Sequence, residues 1–192
     1  SSVSEITMAP VGSVPDVGVI FQPGAQVDAR AYVGILRPIA EAGVQVVIVK
    51  QPLGVAFLAG EFAPAWAADH PEVRRWVVAG HSLGGVVAAE NAAAPNAIGD
   101  LVLWASFPGS DISSDRFGAV SVFGTEDNLT TTADIEASID DLPDGTTFVP
   151  VDGAIHGHFG DYGVQSGDGE PGISRDEAQE LIVRATLAFL TP

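Results

Sequence analysis

The chain contains no cysteine and little positive charge, and each shortage excludes a class of function. Without cysteine there is no disulfide framework, no thiolate metal site and no cysteine nucleophile, and the redox compartment stays undetermined. The 8 Lys and Arg residues are outnumbered by 25 Asp and Glu, which gives a net charge of −17. Nucleic acids and anionic lipid surfaces are therefore unfavourable partners, because both require a basic surface.

Long apolar runs are missing too, although the chain is rich in hydrophobic residues. The runs end after about eight residues, whereas a membrane-spanning helix needs about 18, so we expect no transmembrane segment. Hydrophobic residues make up 46% of the 192 residues, which excludes a disordered chain and suffices for a substantial core. This length predicts a single domain over residues 1–192.

Short apolar segments alternate with helical patterns along the chain. The apolar segments, rich in Val and Ile as buried parallel strands are, cover residues 17–22, 44–50, 75–80, 100–105, 119–124 and 146–151. The helical patterns cover residues 32–39, 57–68, 82–94, 131–141 and 174–189. This alternation predicts an α/β fold, with a mainly parallel sheet of about six strands and helices on both faces. Functional loops are expected at the carboxyl ends of the strands.

Hydrogen-bonding side chains mark where three of these helices begin. Thr131 with Asp134, and Ser174 with Glu177, have the spacing of a capping box. Asp28 is a candidate N-cap for the first helix. We expect helices to start at these residues.

A Gly-rich pentapeptide carries the clearest chemical signal. Residues 80–84 read Gly-His-Ser-Leu-Gly and match the pattern G-x-S-x-G, between a predicted strand and a predicted Ala-rich helix. In that context Ser82 occupies a strained turn above the sheet, where the helix N-terminus favours developing negative charge. Gly80 and Gly84 leave room for the strand and the helix to pass closely. The pattern predicts that Ser82 is a nucleophile. The alternative interpretation is that Ser82 is an incidental serine at the start of a Gly-rich helix.

A nucleophilic serine needs a histidine base and a carboxylate that orients it. When the serine lies between a strand and a helix in this way, the three residues follow one another along the chain in the order serine, acid, histidine. Asp127 follows the strand at 119–124, and His156 follows the strand at 146–151. Both lie just past the carboxyl end of a strand, at the same sheet edge as Ser82. We therefore predict that the three form a catalytic triad.

Neighbouring residues offer alternatives for each partner. Glu126 and Asp111 compete for the role of the acid, and His158 competes for the role of the base. The alternative is that His156, His158 and Asp161 bind a metal. All three lie in one loop, which is weak evidence for a metal site, so we expect no metal.

Acyl transfer also needs two backbone N–H donors for the oxygen that becomes negative. Leu83, which directly follows Ser82, is one candidate. The other is Ala25, in the loop after the first parallel strand, where Gly24 lets the backbone turn toward the site. An ordinary Pro-Gly turn is the alternative interpretation of this loop.

Several segments resemble a known family. They are residues 21–25 (FQPGA), 36–38 (LRP), 47–53 (VIVKQPL), 80–85 (GHSLGG), 123–127 (FGTED) and 159–163 (FGDYG). From about residue 17 to 190, the chain resembles the small bacterial α/β-hydrolase family often labelled fold type 5, whose single-domain members are generally assigned as serine hydrolases or carboxylesterases. The resemblance implies the α/β-hydrolase fold and the triad Ser82, Asp127 and His156. Relatives commonly have Asn before the histidine, where this chain has Ile155, and no second histidine where it has His158.

These features predict a carboxylesterase that forms an acyl-serine intermediate and needs no cofactor. The short segment between Trp104 and Phe117 leaves no room for a large cap domain, which favours an open site. We expect this site to be lined by Leu53, Phe57, Trp104, Phe107 and Phe159. Small-molecule or exposed polymeric esters would suit it, and the charge of −17 disfavours anionic substrates.

Other functions remain open at this point. The bond cleaved could be a thioester, an amide, a lactone or a polyester, and a catalytically silent binding module is the alternative outside enzymes. The resemblance implies a secreted or cell-envelope location rather than a cytoplasmic one, because relatives often carry an N-terminal signal or membrane segment. The first residue is Ser1 rather than Met, so we expect a processed or trimmed chain. No pattern predicts the oligomeric state.

Overall fold

All six apolar segments form strands of one sheet, as their β-branched composition predicts. The computed structural model describes residues 4–51, 70–95, 97 and 99–191. Within these residues the sheet has seven strands. They are β1 (Glu5–Met8), β2 (Val17–Gln22), β3 (Gln45–Val49), β4 (Arg75–His81), β5 (Gly99–Trp104), β6 (Ala119–Gly124) and β7 (Thr147–Val151).

The strand order is β1-β3-β2-β4-β5-β6-β7. Strands β2 to β7 are parallel, which confirms the predicted α/β class and the mainly parallel sheet. β1 is an additional strand that pairs antiparallel with β3, from Glu5 opposite Val49 to Met8 opposite Val46. The sequence analysis did not identify β1 because it has four half-buried residues of mixed polarity, without the apolar run that marked the other strands.

Four α-helices lie in the described part of the chain. They are α1 (Val33–Glu41), α2 (Leu83–Ala93), α3 (Thr132–Ala137) and α4 (Arg175–Leu190). Three 3-10 turns add Ala29–Tyr32, Ile139–Asp141 and His156–Phe159. The helix predicted over residues 57–68 lies outside the described residues.

The predicted capping box forms with both of its hydrogen bonds at Thr131, and with one of them at Ser174. The Thr131 hydroxyl accepts a hydrogen bond from the N–H of Asp134, whose carboxylate accepts one from the N–H of Thr131 at 2.9 Å. The Ser174 hydroxyl accepts one from the N–H of Glu177 at 3.2 Å, so α4 begins where it was expected. Each bond satisfies a backbone N–H that has no partner within the helix.

Two helix predictions need correction. Asp28 caps the 3-10 turn Ala29–Tyr32, and α1 begins only after that turn. The helix predicted over residues 131–141 ends at Ala137, and a 3-10 turn, Ile139–Asp141, follows it. At the break, the hydroxyl of Ser138 bonds back to a carbonyl three residues earlier, which competes with the helical hydrogen-bond pattern.

Alternate strand residues face opposite sides of the sheet and build two hydrophobic clusters. On one face, strand residues such as Phe21 and Trp104 pack with α1 and α4. On the other face, residues such as Ile20 and Leu101 pack with α2. Helices therefore cover both faces, as predicted. Among the described residues, no helix has the length and apolarity to cross a membrane.

β7 forms one edge of the sheet and carries a proline, the exposed Pro150. The carbonyl of Val151 accepts a hydrogen bond from the N–H of Thr125 at 3.2 Å, so the backbone groups of Val151 face β6. Successive residues of a strand point their backbone groups to opposite sides, so those of Pro150 face outward. Proline is tolerated there because no neighbouring strand needs its missing N–H.

The carboxyl ends of the parallel strands meet at one edge of the sheet. Gln22 of β2 lies opposite Gly80 of β4, and Gly124 of β6 lies opposite Val151 of β7. The loops after β2, β4, β6 and β7 begin at this edge. They carry the predicted site residues Ala25, Ser82, Leu83, Asp127 and His156.

β4 turns into α2 with little spare room. A Cβ atom on Gly80 would collide with the backbone of Gly84 and Gly85. A Cβ atom on Gly84 would collide with the carbonyl groups of Gln22 and Pro23. The two glycines therefore let the strand, the helix and the loop after β2 approach one another.

We predict that Gly84→Ala lowers the free energy of unfolding by about 1–3 kcal/mol, because the added methyl group meets only backbone atoms that cannot rotate away. Urea unfolding followed by circular dichroism measures this change. Glu90→Ala, at an exposed position of α2, is the matched control and should shift the value by less than about 0.5 kcal/mol. Equal unfolding midpoints for Gly84→Ala and the wild type would contradict this close packing.

Candidate active site

Ser82 lies in a strained turn between β4 and α2. Its φ is 53° and its ψ is −127°, a conformation that residues other than glycine rarely adopt. Its N–H donates to the carbonyl of Trp104 at 3.0 Å, which fixes the turn to β5. The residue is half-buried. This is the backbone arrangement that a nucleophile elbow requires.

Residues after β5 support this turn from below. The hydroxyl of Ser106 donates to the carbonyl of Ser82 at 2.7 Å. Ala105, just before it, also has a positive φ of 44°. A Cβ atom on Gly85 would collide with the Ser106 side chain, so the contact is close. The sequence analysis missed Ser106 because its local pattern is that of any loop serine.

Asp127 and His156 come together as a buried hydrogen-bonded pair. The distance from Asp127 Oδ2 to His156 Nδ1 is 2.8 Å, and the two side chains are 0% and 1% exposed. Asp127 Oδ1 accepts hydrogen bonds from the N–H groups of Leu129 and Thr130, each at 2.8 Å. One carboxylate oxygen is thus fixed by the backbone, and the other faces the imidazole. Because an ionised carboxylate only accepts, Nδ1 donates, and Nε2 is left with the lone pair that a base needs.

The competing acids lie elsewhere. Glu126 is exposed although it is adjacent to Asp127. Asp111 is also exposed, and its carboxylate accepts hydrogen bonds from the N–H and hydroxyl of Ser113 at 2.9 and 2.6 Å. Of the three candidate acids, Asp127 is the one that contacts a histidine.

The competing base, His158, does not reach Asp127. His158 is buried, and its Nδ1 has no hydrogen-bond partner among the described residues. Burial lowers the pKa of His158, with a smaller contribution from the positive charge of Arg175. Within the described ranges, no three His, Asp or Glu side chains are arranged to hold a metal ion.

The backbone of His156 is held from both sides. The Asp168 carboxylate accepts hydrogen bonds from the N–H groups of His156, Gly157 and Gly169 at 3.0, 2.8 and 2.8 Å. The hydroxyl of Tyr162 donates to the carbonyl of His156 at 3.0 Å. Burial raises the pKa of Tyr162 above its usual range, so this hydroxyl stays protonated. Both residues come from the long irregular segment after β7, but their roles were not predicted.

The two predicted oxyanion donors belong to elements that contact each other, the start of α2 and the loop after β2. Leu83 is the first residue of α2, so its N–H has no acceptor within the helix. Ala25 lies exposed in the loop that packs on Gly84. Next to it, the N–H of Gly24 is bound by the hydroxyl of Tyr32 at 2.9 Å. These contacts therefore fix the conformation of the loop after β2.

Two of the aromatic residues predicted to line the site belong to the core instead. Trp104 is 1% exposed, and its indole N–H donates to the hydroxyl of Thr186 in α4 at 2.9 Å. Phe159 is 0% exposed and lies against the ring of His81. Both predictions were wrong because these side chains face the buried helix layer. Phe107 is half-buried, so its predicted contact with substrate stays a prediction.

The other two predicted lining residues, Leu53 and Phe57, lie outside the described residues. Leu129 and Val164 are exposed apolar side chains in the described part of the chain. They belong to the loops that follow Asp127 and His156.

Solved structures with this fold support the same architecture. A serine hydrolase homologue from Coxiella burnetii aligns with a TM-score of 0.70 at 19% identity, over 94% of this chain and 89% of that chain. Esterase 2 from Thermogutta terrifontis aligns with a TM-score of 0.67 at 16% identity, over 98% and 89%. A protein from Xanthomonas campestris, described as a serine hydrolase without a lid, aligns with a TM-score of 0.70 at 16% identity, over 98% and 89%. At these identities the likeness establishes the fold.

Sequence comparison gives the family. No curated protein matches the chain. The sequence model of the alpha/beta hydrolase family, however, matches residues 18–180, which include the Ser82 turn and the loops of Asp127 and His156. The chain belongs to the alpha/beta hydrolase family.

Proposed function

We propose that the protein is a serine esterase in which Ser82 is the nucleophile, His156 the base and Asp127 the residue that orients the base. The observation that carries this proposal is the buried Asp127–His156 hydrogen bond of 2.8 Å, at the sheet edge where Ser82 occupies its strained turn. A surface ion pair would have little reason to exclude water completely. Burial lowers the local dielectric and strengthens this hydrogen bond, which holds the imidazole in one orientation and one tautomer.

Acylation begins when Ser82 Oγ bonds to the ester carbonyl carbon and His156 Nε2 takes the hydroxyl proton. The carbonyl oxygen becomes negative and accepts hydrogen bonds from the N–H groups of Leu83 and Ala25. The carbon–oxygen double bond then re-forms, the bond to the alcohol breaks, and His156 gives its proton to the departing oxygen. The product is an alcohol and an acyl group on Ser82.

Deacylation repeats these steps with water as the nucleophile. His156 removes a proton from water as the water oxygen bonds to the acyl carbon. The bond to Ser82 then breaks, and Ser82 recovers its proton from His156. The sum is one ester and one water converted to one acid and one alcohol, with no cofactor.

Small or exposed uncharged esters are the proposed substrates. The loop between Trp104 and Ala119, which is described throughout, contains no helix or strand that could form a cap over the site. The net charge of −17 disfavours the approach of anions. One structural relative, Thermogutta terrifontis esterase 2, is named an esterase and has a structure with propionate bound, which makes an ester the first acyl compound to test.

We expect Ser82→Ala to lower kcat for p-nitrophenyl acetate by on the order of 10⁴-fold or more, because no other group can carry the acyl chain. Stopped assays of purified protein measure kcat. Labelling with a fluorophosphonate probe, followed by mass spectrometry of the peptides, detects the adduct on Ser82. Ser110→Ala, which removes an exposed hydroxyl from the loop after β5, should still be labelled. Unchanged hydrolysis by Ser82→Ala would eliminate the esterase proposal, and a folded wild type that takes up no probe would favour a binding module.

Asp127→Asn should lower kcat by on the order of 10⁴-fold with little change in fold. The N–H groups of Leu129 and Thr130 hold the position of Oδ1, so the amide oxygen remains there and the NH2 group faces His156. That NH2 group favours a lone pair on Nδ1 and a proton on Nε2, which is the wrong tautomer for a base. Glu126→Gln is the matched control and should retain nearly full kcat. Equal losses in both variants would reject Asp127 as the orienting acid.

Asp168→Ala should lower kcat about 10-fold and leave KM nearly unchanged, because a misplaced base slows proton transfer more than it weakens binding. Asp168→Asn should fall between this variant and the wild type, since its amide oxygen can still accept from two of the three N–H groups. Steady-state kinetics separate kcat from KM. Glu170→Ala, exposed on the same loop, is the control. A selective rise in KM for Asp168→Ala would point instead to a contact with substrate.

A further inference from the structure

We propose that Tyr32 is a positioning residue that joins the oxyanion loop to the elbow and fixes the tautomer of His81. Here the oxyanion loop means residues 23–28, and the elbow means residues 80–84. This inference rests on the proposed function. Neither Tyr32 nor His81 was assigned a chemical role by the sequence. Tyr32 begins the helical pattern predicted over residues 32–39, but it lies in the 3-10 turn before α1, and it is 0% exposed.

The hydroxyl of Tyr32 makes two hydrogen bonds inside the core. Its oxygen accepts from the N–H of Gly24 at 2.9 Å and lies 2.9 Å from Nδ1 of His81. The backbone N–H can only donate, so the single proton of the hydroxyl is free to point to His81. Nδ1 must then accept, and a neutral His81 carries its proton on Nε2. Nε2 of His81 is buried and has no hydrogen-bond partner among the described residues. The proposed tautomer therefore leaves one group unpaired, the Nε2 proton, whereas the opposite tautomer leaves two, the Tyr32 hydroxyl proton and the Nε2 lone pair.

His81 has to remain neutral for the site to work. Its ring centroid is 4.5 Å from that of His156, and its other neighbours include the stacked ring of Phe159. Burial lowers the pKa of His81 well below its ordinary value, and the charge of His156 lowers it further. His156 becomes positive in each half of the proposed cycle. A second positive ring at this distance would oppose that protonation and weaken the base.

The same hydroxyl controls the proposed oxyanion donor. Gly24 immediately precedes Ala25, and Gln26 after it has a positive φ of 60°. A Cβ atom on Gly24 would lie 2.9 Å from Nδ1 of His81 and 3.1 Å from the Tyr32 oxygen, so the loop is packed directly on both groups. The direction of the Ala25 N–H therefore depends on the bond between Gly24 and Tyr32. One hydroxyl thus links the oxyanion loop, the elbow and the neighbour of the base.

Nuclear magnetic resonance tests the hydrogen-bond chain without any substrate. Long-range ¹H–¹⁵N spectra of histidine-labelled wild type at neutral pH should show His81 as the neutral Nε2–H tautomer. In Tyr32→Phe the pattern of His81 should move toward a mixture of both tautomers. Tyr162→Phe is the matched spectroscopic control, since it removes the other tyrosine hydroxyl near this ring, and it should leave the tautomer of His81 unchanged. His70→Gln and His158→Gln variants assign the signals.

Kinetics test the consequence for catalysis. We expect Tyr32→Phe to lower kcat about 10-fold with a change in KM below about twofold, which is less than the loss of an oxyanion donor itself because Tyr32 acts through the loop. His81→Asn places an amide oxygen where Nδ1 was and can still accept from Tyr32. His81→Leu has similar bulk and cannot. His81→Asn should therefore keep a kcat about 10-fold above that of His81→Leu.

Several results would overturn this proposal. They are the Nδ1–H tautomer of His81 in the wild type, an unchanged His81 pattern in Tyr32→Phe, or equal kcat values for His81→Asn and His81→Leu. If Tyr32→Phe does not fold, as judged by thermal unfolding, the wild-type tautomer and the pair of His81 variants still decide. An inert wild type refutes the esterase proposal, whereas the tautomer of His81 tests the role of Tyr32 in either case.

Discussion

The positive φ of Ser82 stores strain on the order of 1–3 kcal/mol, and the surrounding structure is arranged to hold it. The N–H of Ser82 is bound by the last residue of β5, and its carbonyl is bound by Ser106. Gly80 and Gly84 remove the two Cβ atoms that would push strand, helix and loop apart. The strain therefore persists because three neighbouring elements leave the turn no other conformation.

Proton positions in the site follow from a small number of one-way hydrogen bonds. The backbone donors on Asp127 leave it one oxygen for His156, and the backbone donor on Tyr32 leaves it one proton for His81. At Asp127 the peptide N–H groups fix the position of the carboxylate, and the carboxylate, which can only accept, makes Nδ1 of His156 the donor. At Tyr32 a peptide N–H, which can only donate, leaves the hydroxyl proton for Nδ1 of His81. The proposed chemistry thus depends on backbone groups that no side-chain substitution removes directly.

Much of the architecture could be predicted because its signals are local. Runs of Val and Ile mark the parallel strands. Because Asp127 follows β6 and His156 follows β7, their order along the chain indicated that these two residues would meet. Side-chain direction could not be predicted in the same way. Trp104 ends a strand at the site edge, yet its ring is buried in the cluster that contains α4, because the pleat decides which side of the sheet receives it. Asp168 acts across a turn of the loop, and no short pattern encodes such a contact.

The outward-facing backbone of Pro150 has a consequence for how these molecules behave together. A sheet edge with free N–H and C=O groups is a template on which another chain can add a strand. On β7 the proline removes one outward donor from that template, and the net charge of −17 makes two copies repel each other. The β7 edge therefore disfavours aggregation by sheet extension, and it does so without any contribution from the loops at the carboxyl ends of the strands.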